Sequence, residues 1–221
     1  MDAQAAVAEL IALVDPGADA PRAASALFAR YGAISQIASA PAEDIARAGG
    51  VNMQAAQLLR IVPSLARYQA LDAHGERPLL STFRRAAEYL PALYVGRGYE
   101  HFYLLCLGAD GRLIRPALIT RGTLDETAFY LRNMLDEALA SKARAVVLAH
   151  NHPGGTDEPS EGDVTATRIA IRALSKVGIV VLDHAIIANG RANSMRAAGL
   201  IEEGEFLRQD PGEKLLLGWL D

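Results

Sequence analysis

The stretch His150-Asn151-His152-Pro153-Gly154-Gly155-Thr156-Asp157-Glu158-Pro159-Ser160-Glu161-Gly162-Asp163 gathers two imidazoles, a hydroxyl and several carboxylates in one short piece of chain. His150 and His152 stand two apart. On extended backbone both side chains leave on the same side and can converge on one ion. Pro153 withholds a ladder donor and turns the chain, and Gly154 and Gly155 permit a sharp reversal. After such a reversal Asp163 supplies a third, anionic donor. Two imidazoles and one carboxylate would leave the fourth tetrahedral position of zinc open to water, as catalytic rather than structural sites require. Cys106 is the only cysteine. This excludes an internal disulfide and every zinc site that needs two thiolates from one chain, so a metal must sit on His, Asp or Glu.

Each piece also has an ordinary explanation. Two histidines near a strand end are commonly surface residues. Ser160-x-x-Asp163 fits a capping box, the Ser oxygen taking an N–H of the first turn and the acid reaching back. Capping holds Asp163 in the first helical turn at the same loop, so the two roles are compatible. The whole pattern, His-x-His-Pro-x6-Ser-x2-Asp, should arise by chance in on the order of one chain in a hundred thousand of this length.

The elements that must position these residues are readable on either side. The apolar run 145–149 is typical of a buried strand, placing His150 at its end. A helix is expected over 161–177, stopped by Gly178, with further strand at 179–182 and 185–188. Upstream, 83–93 reads as a helix, 100–108 alternates as a strand, Asp110-Gly111 is a hairpin signal and 112–120 is the return strand. The segment 124–141 places Leu131, Met134, Leu135 and Leu139 on one helical stripe. Alternating β and α elements predict an α/β sandwich.

Before residue 74 the pattern is that of short helices. Leu10, Leu13, Leu27, Ile34, Ile37, Ile45, Leu58 and Leu59 fall at helical spacings, punctuated by Pro16, Pro21, Gly32 and Pro41. The run 74–78 is a linker. The tail from 204 carries Leu215, Leu216, Leu217 and Trp219, an apolar docking segment or partner contact. Half the residues are apolar and 22% are charged, the composition of an ordinary globular protein. No basic start with an apolar core opens the chain and no apolar run approaches spanning length, so the expectation is a cytoplasmic protein with no membrane contact. The net charge of −4 provides no global field toward nucleic acid.

The motif resembles that of the JAMM metalloproteases, the JAB1/MPN superfamily. Val181-Leu182-Asp183-His184 and Ser194-Met195-Arg196-Ala197-Ala198-Gly199-Leu200 resemble its RadC branch, and the likeness covers nearly the whole chain. The superfamily motif also has an upstream glutamate at a strand start, matched here by Glu100-His101-Phe102-Tyr103-Leu104-Leu105-Cys106-Leu107-Gly108. From the residues alone Glu100 is not preferred over Glu126 or Glu137, and a solvated strand-edge carboxylate is the plain alternative. The resemblance implies a JAB1/MPN-like α/β domain over 78–204, preceded by a small all-α module over 1–76 and followed by a tail at 205–221. It implies one Zn2+ per chain on His150, His152 and Asp163. It further implies Glu100 as general base, Ser160 as donor to an oxyanion, and hydrolysis of an amide or isopeptide bond in a peptide or protein substrate. Asp183 or His184 could orient a ligand imidazole, a structural role being the other reading of His184; His74 and His101 are read as incidental.

The segment 42–59, with Gly49 and Gly50 between two helical stretches, resembles a degenerate helix-hairpin-helix, a module that grips nucleic-acid backbone. Val51 stands where a second hairpin glycine is usual, and Arg47 and Arg60 are almost the only nearby cations, so DNA contact is expected to be weak. A helical docking module is the plainer reading. The functional alternative to a hydrolase is a DNA-associated adaptor with a structural or idle metal site, in line with the repair association of the RadC name. Zinc-dependent nucleobase deamination is disfavoured, because its signature needs Pro-Cys-x-x-Cys.

Overall fold

The computed structural model of the chain describes residues 2–122, 127–201 and 219, those at 127–129 by backbone alone. Glu126, Leu215, Leu216 and Leu217 lie outside the described residues. The chain divides into two compact units, Met1–Leu71 with Tyr94–Tyr99, and Asp72–Leu93 with Glu100–Asp221. No helix among the described residues is long and apolar enough to cross a membrane.

The first unit is helical: α1 (Ala3–Val14), α2 (Ala20–Tyr31), α3 (Ile34–Ser39), α4 (Ala42–Gly49) and α5 (Met53–Asp72). Ile11, Leu27, Ile37 and Ile45 are fully enclosed at its centre. Asp2 and Asp19 cap α1 and α2 by accepting the N–H groups of Ala5 and Arg22, each such cap being worth about 1 kcal/mol. Asn52 ties the α4–α5 turn down. Its side chain accepts the Ala55 N–H and donates to the Val14 carbonyl, while its own N–H goes to Asp15. At the turn itself Gly50 is left-handed, and the N–H groups of both Gly50 and Val51 go to the Ala46 carbonyl. Those amides are consumed by the end of α4, and Val51 is buried. They are therefore not offered to a phosphate.

The second unit is α/β. Its elements are α6 (Phe83–Leu93), β1 (His101–Leu107), β2 (Leu113–Arg121), α7 (Thr127–Ala140), β3 (Ala145–Asn151), α8 (Glu161–Ser175), β4 (Val180–Ala188) and β5 (Arg191–Ser194). The sheet runs β2-β1-β3-β4-β5, with only the β3–β4 pair parallel. That pair is joined through α8, as parallel neighbours require a crossover. Every residue of β1 and β3 is buried; this matches the apolar run of β3, while β1, expected to alternate, is instead covered on both faces. Phe102, Leu104 and Cys106 of β1 join Val146 and Leu148 of β3 in a core with Met134 and Ala138 of α7 and Ala170, Ile171 and Leu174 of α8. This fold is the mixed α/β architecture expected of a JAB-like domain behind a helical region.

Two departures from the sequence expectation bear on the site. The strand pieces expected at 179–182 and 185–188 are one continuous strand, β4, with Asp183 and His184 buried inside it. The β4–β5 hairpin was not expected at all. Its turn is Asn189-Gly190, both with positive φ (51° and 73°), the pairing that tight hairpin turns favour.

Candidate metal centre

β3 and β4 carry the site through a break in their register. Val146 pairs with Val181 but Val147 pairs with Asp183, so β4 holds one extra residue, Leu182. Such a bulge re-aims every side chain beyond it. Without it Leu148 would lie beside Asp183. With it Leu148 lies beside His184, which joins Val146, Leu148 and His150 on the face covered by α8.

Asp163 reaches that face from the first turn of α8. Ser160 is the N-cap of a complete capping box: the Asp163 N–H donates to Ser160 Oγ at 3.1 Å, and the Ser160 N–H donates to Asp163 Oδ2 at 2.8 Å. The Ser160 hydroxyl also donates to Oδ2, at 2.6 Å. Oδ2 is thus occupied twice, and Oδ1 is turned to the Nε2 atom of His150 at 3.1 Å. Burial alone would raise the Asp163 pKa, but His150, by hydrogen bond and charge, and the two Ser160 donors outweigh it and hold the carboxyl well below the usual range. It stands ionised as a one-oxygen donor.

His152 leaves the strand end, its N–H donating to the Ile187 carbonyl of β4 at 2.9 Å. Its ring Nδ1 faces the Thr156 carbonyl oxygen at 3.0 Å. A carbonyl only accepts, so a proton sits on Nδ1, and it is Nε2 that is left to bind an ion. That Nε2 lies 2.8 Å from Nε2 of His150. His150, His152 and Asp163 offer donor atoms all within 4.8 Å of one another, and among the described residues they are the group that could hold a metal ion. Nitrogen lone pairs and a carboxylate this close require a cation between them, a proton or a metal. The donor types suit a metal bound by nitrogen and oxygen, and His150 and Asp163 are almost wholly enclosed while His152 is partly open to solvent.

A second layer stands behind His150. Its Nδ1 meets His184 Nε2 at 2.8 Å, and His184 Nδ1 meets the Thr167 hydroxyl at 2.6 Å. The Phe102 ring stacks on His150 at 5.9 Å between centroids. His184 has no exposed surface. Burial first, then the neighbouring His150 and His152 rings, lower its pKa well below the usual histidine range against the opposing pull of Asp163. The sequence alternatives for His184 were a structural role or support of a ligand imidazole, and its ring contacts His150 directly.

Glu100 precedes β1, half-buried, with its carbonyl accepting the Gly122 N–H at 2.9 Å. The β1–β3 register pairs Phe102 with His150, and Glu100 stands two residues before Phe102 in the chain. Glu100 is not among the three residues that could together hold a metal ion. Its rival Glu137 is on α7, ion-paired with Arg115 of β2. Of the histidines read as incidental, His74 packs edge-on against Tyr89, and His101 is buried with its N–H on the side-chain oxygen of Asn151.

Sequence reasoning missed Thr167 and Asn189. Thr167 stands four after Asp163 on α8, and that spacing was the available signal. Asn189 holds the loop after β3 by donating to the Gly155 carbonyl at 2.9 Å, a contact between distant segments that no local pattern announces.

A family model described as the RadC-like JAB domain matches residues 80–200. The chain is 37% identical over 173 residues to a UPF0758 protein of Thiobacillus denitrificans, covering 78% of this chain and 77% of the relative. It is 35% identical over 200 residues to a UPF0758 protein of Variovorax paradoxus, 88% of each. A UPF0758 protein of Rhodobacter capsulatus is 32% identical over 186 residues, 84% of this chain and 87% of that one.

Proposed function

The chain belongs to the RadC-like JAB domain family, and we propose that it is a zinc-dependent hydrolase of an amide or isopeptide bond in a peptide or protein. The observation that carries this reading is the convergence of three donor atoms, two of them lone-pair nitrogens and one a locked carboxylate oxygen, at the buried end of β3.

Zinc held on His150, His152 and Asp163 would supply Lewis acidity and a water whose pKa falls from about 16 to about 7. The chain supplies the rest. Glu100, outside that ligand set, would take the proton of the attacking water and return it to the leaving nitrogen. Ser160 donates to the developing oxyanion, a contribution typically worth about two to three powers of ten. For that its hydroxyl must turn from Asp163 Oδ2, where it now donates. The Ser160 N–H and the Asp163 capping contact hold the helix start while it turns. Asp163 keeps its charge throughout.

The test is turnover of peptide and isopeptide substrates by the zinc-loaded protein, with and without chelator. The account expects chelation to abolish cleavage, zinc to restore it, and Glu100→Gln to lower the rate by about two to four powers of ten with zinc still bound. Chelator-insensitive cleavage, or full activity in Glu100→Gln, contradicts it. A protein that binds zinc yet cleaves nothing leaves the adaptor reading in its place.

A further inference from the structure

We infer that Thr167, acting through His184, is a positioning residue that fixes which ring nitrogen of His150 bears the proton, and so presents the Nε2 lone pair to the metal. The inference rests on the reading of His150 as a metal ligand.

The chain of hydrogen bonds has one consistent direction, set at its far end. Thr167 Oγ1 lies 2.5 Å from the Asp163 main-chain carbonyl, an atom that only accepts. The single hydroxyl proton is therefore spent there, the Met195 sulfur at 3.9 Å being too distant to compete. Toward His184 Nδ1, at 2.6 Å, the same oxygen can only accept. His184, held uncharged by its burial, must then carry its proton on Nδ1, and its Nε2 has a lone pair. Facing that lone pair at 2.8 Å, His150 Nδ1 must donate. One proton placement is left for a neutral His150, with Nε2 bare toward His152 and Asp163.

Two features of the fold exist to make this chain possible. The extra residue in β4 turns His184 rather than Asp183 to this face. The helical spacing of Asp163 and Thr167 puts the last acceptor in the backbone of α8 itself, so the helix that delivers the carboxylate ligand also orients the imidazole ligand. Thr167 is 1% exposed, so water does not replace its hydroxyl. The orienting partners of metal-bound histidines are typically worth about 10- to 100-fold in metal affinity.

Thr167→Val keeps shape and removes the hydroxyl; Thr167→Ser keeps the hydroxyl. Long-range proton–nitrogen spectra of 15N-labelled, metal-free protein report the His184 tautomer with no reference to activity. The wild type and Thr167→Ser should both show His184 protonated on Nδ1. In Thr167→Val this placement should be lost, and zinc affinity, measured by competition with a chromophoric chelator, should fall about 10- to 100-fold. Wild-type His184 protonated on Nε2 overturns the inference, and this stands as a test even where Thr167→Val does not fold. Equal zinc affinity in Thr167→Val and wild type also overturns it. If the wild type shows the expected tautomers but binds no zinc, the reading of the metal site fails while the relay stands.

Discussion

The side-chain amide of Asn189, in the turn between β4 and β5, donates to the main-chain carbonyl of Gly155 at 2.9 Å. This bond latches the loop that follows His152 to the end of the neighbouring strand, and the loop in turn presents the Thr156 carbonyl to His152. Because Asn189 has φ 51°, Asn189→Gly removes the side chain without straining the backbone. Stability should fall by about 1 kcal/mol, and amide exchange across 153–157 should quicken while the strands keep their protection. Unchanged exchange there would show that the latch holds nothing. Gly155→Ala is the complementary change. With φ +85° and an added Cβ at 3.2 Å from the Asn189 side-chain oxygen, it should cost about 1–2 kcal/mol, read as a lower unfolding midpoint.

Ser160 caps α8 and is proposed as the oxyanion donor, two roles that one substitution separates by size. Ser160→Ala removes the cap acceptor for the Asp163 N–H, which should lower stability by about 1 kcal/mol. Loss of the oxyanion donor should lower kcat by about two to three powers of ten. A stability loss with kcat within about tenfold of wild type would leave Ser160 as a cap alone.

Asp183 sets a pH dependence of stability. Burial, opposed by donors from Ser194, Arg196 and His184, pushes its carboxyl up to about 6, against about 3.9 unfolded. The folded state binds this proton more tightly. Its contribution is therefore fully present below about pH 4 and is lost as pH rises through about 6, some 3 kcal/mol in all. Asp183→Asn keeps an acceptor oxygen and cannot ionise, so urea unfolding across this window should show the wild type losing about 3 kcal/mol relative to the variant. Parallel curves for the two proteins would mean that Asp183 is not perturbed by its burial.

Much of this was legible in the sequence, for physical reasons that differ by element. β3 is buried along its whole length and announces itself as an apolar run; β1 is legible as a strand though not as one buried on both faces; α6 ends where expected; the Ser160–Asp163 box is a local device with a local signal. β4 was read as two pieces because Asp183 and His184 are polar, and what lets them be buried lies far away in the chain, at Ser194, Arg196, Thr167 and His150. The one-residue bulge at Leu182 leaves no mark in composition. The Asn189-Gly190 hairpin was readable and was overlooked. The carboxylate at Glu100 is nominated by resemblance alone, since no local pattern sets it apart from Glu126 or Glu137.

Contact with DNA should be weak. The hairpin amides of Gly50 and Val51 are spent on Ala46, Arg47 is paired with Asp44, and the chain carries a net charge of −4. The full-length protein should bind duplex DNA without sequence preference and no tighter than about 10⁻⁶ M at physiological salt. Nanomolar binding in fluorescence anisotropy would contradict this and favour the adaptor reading.

The account turns on His150, His152 and Asp163 holding one metal ion while Glu100 handles only protons, and elemental analysis of three purified, zinc-reconstituted proteins tests it most directly. Wild type and Glu100→Gln should each retain about one zinc per chain, and Asp163→Asn, deprived of its anionic donor, should retain little. No stoichiometric metal in the wild type, or a Glu100→Gln protein as empty as Asp163→Asn, would contradict it.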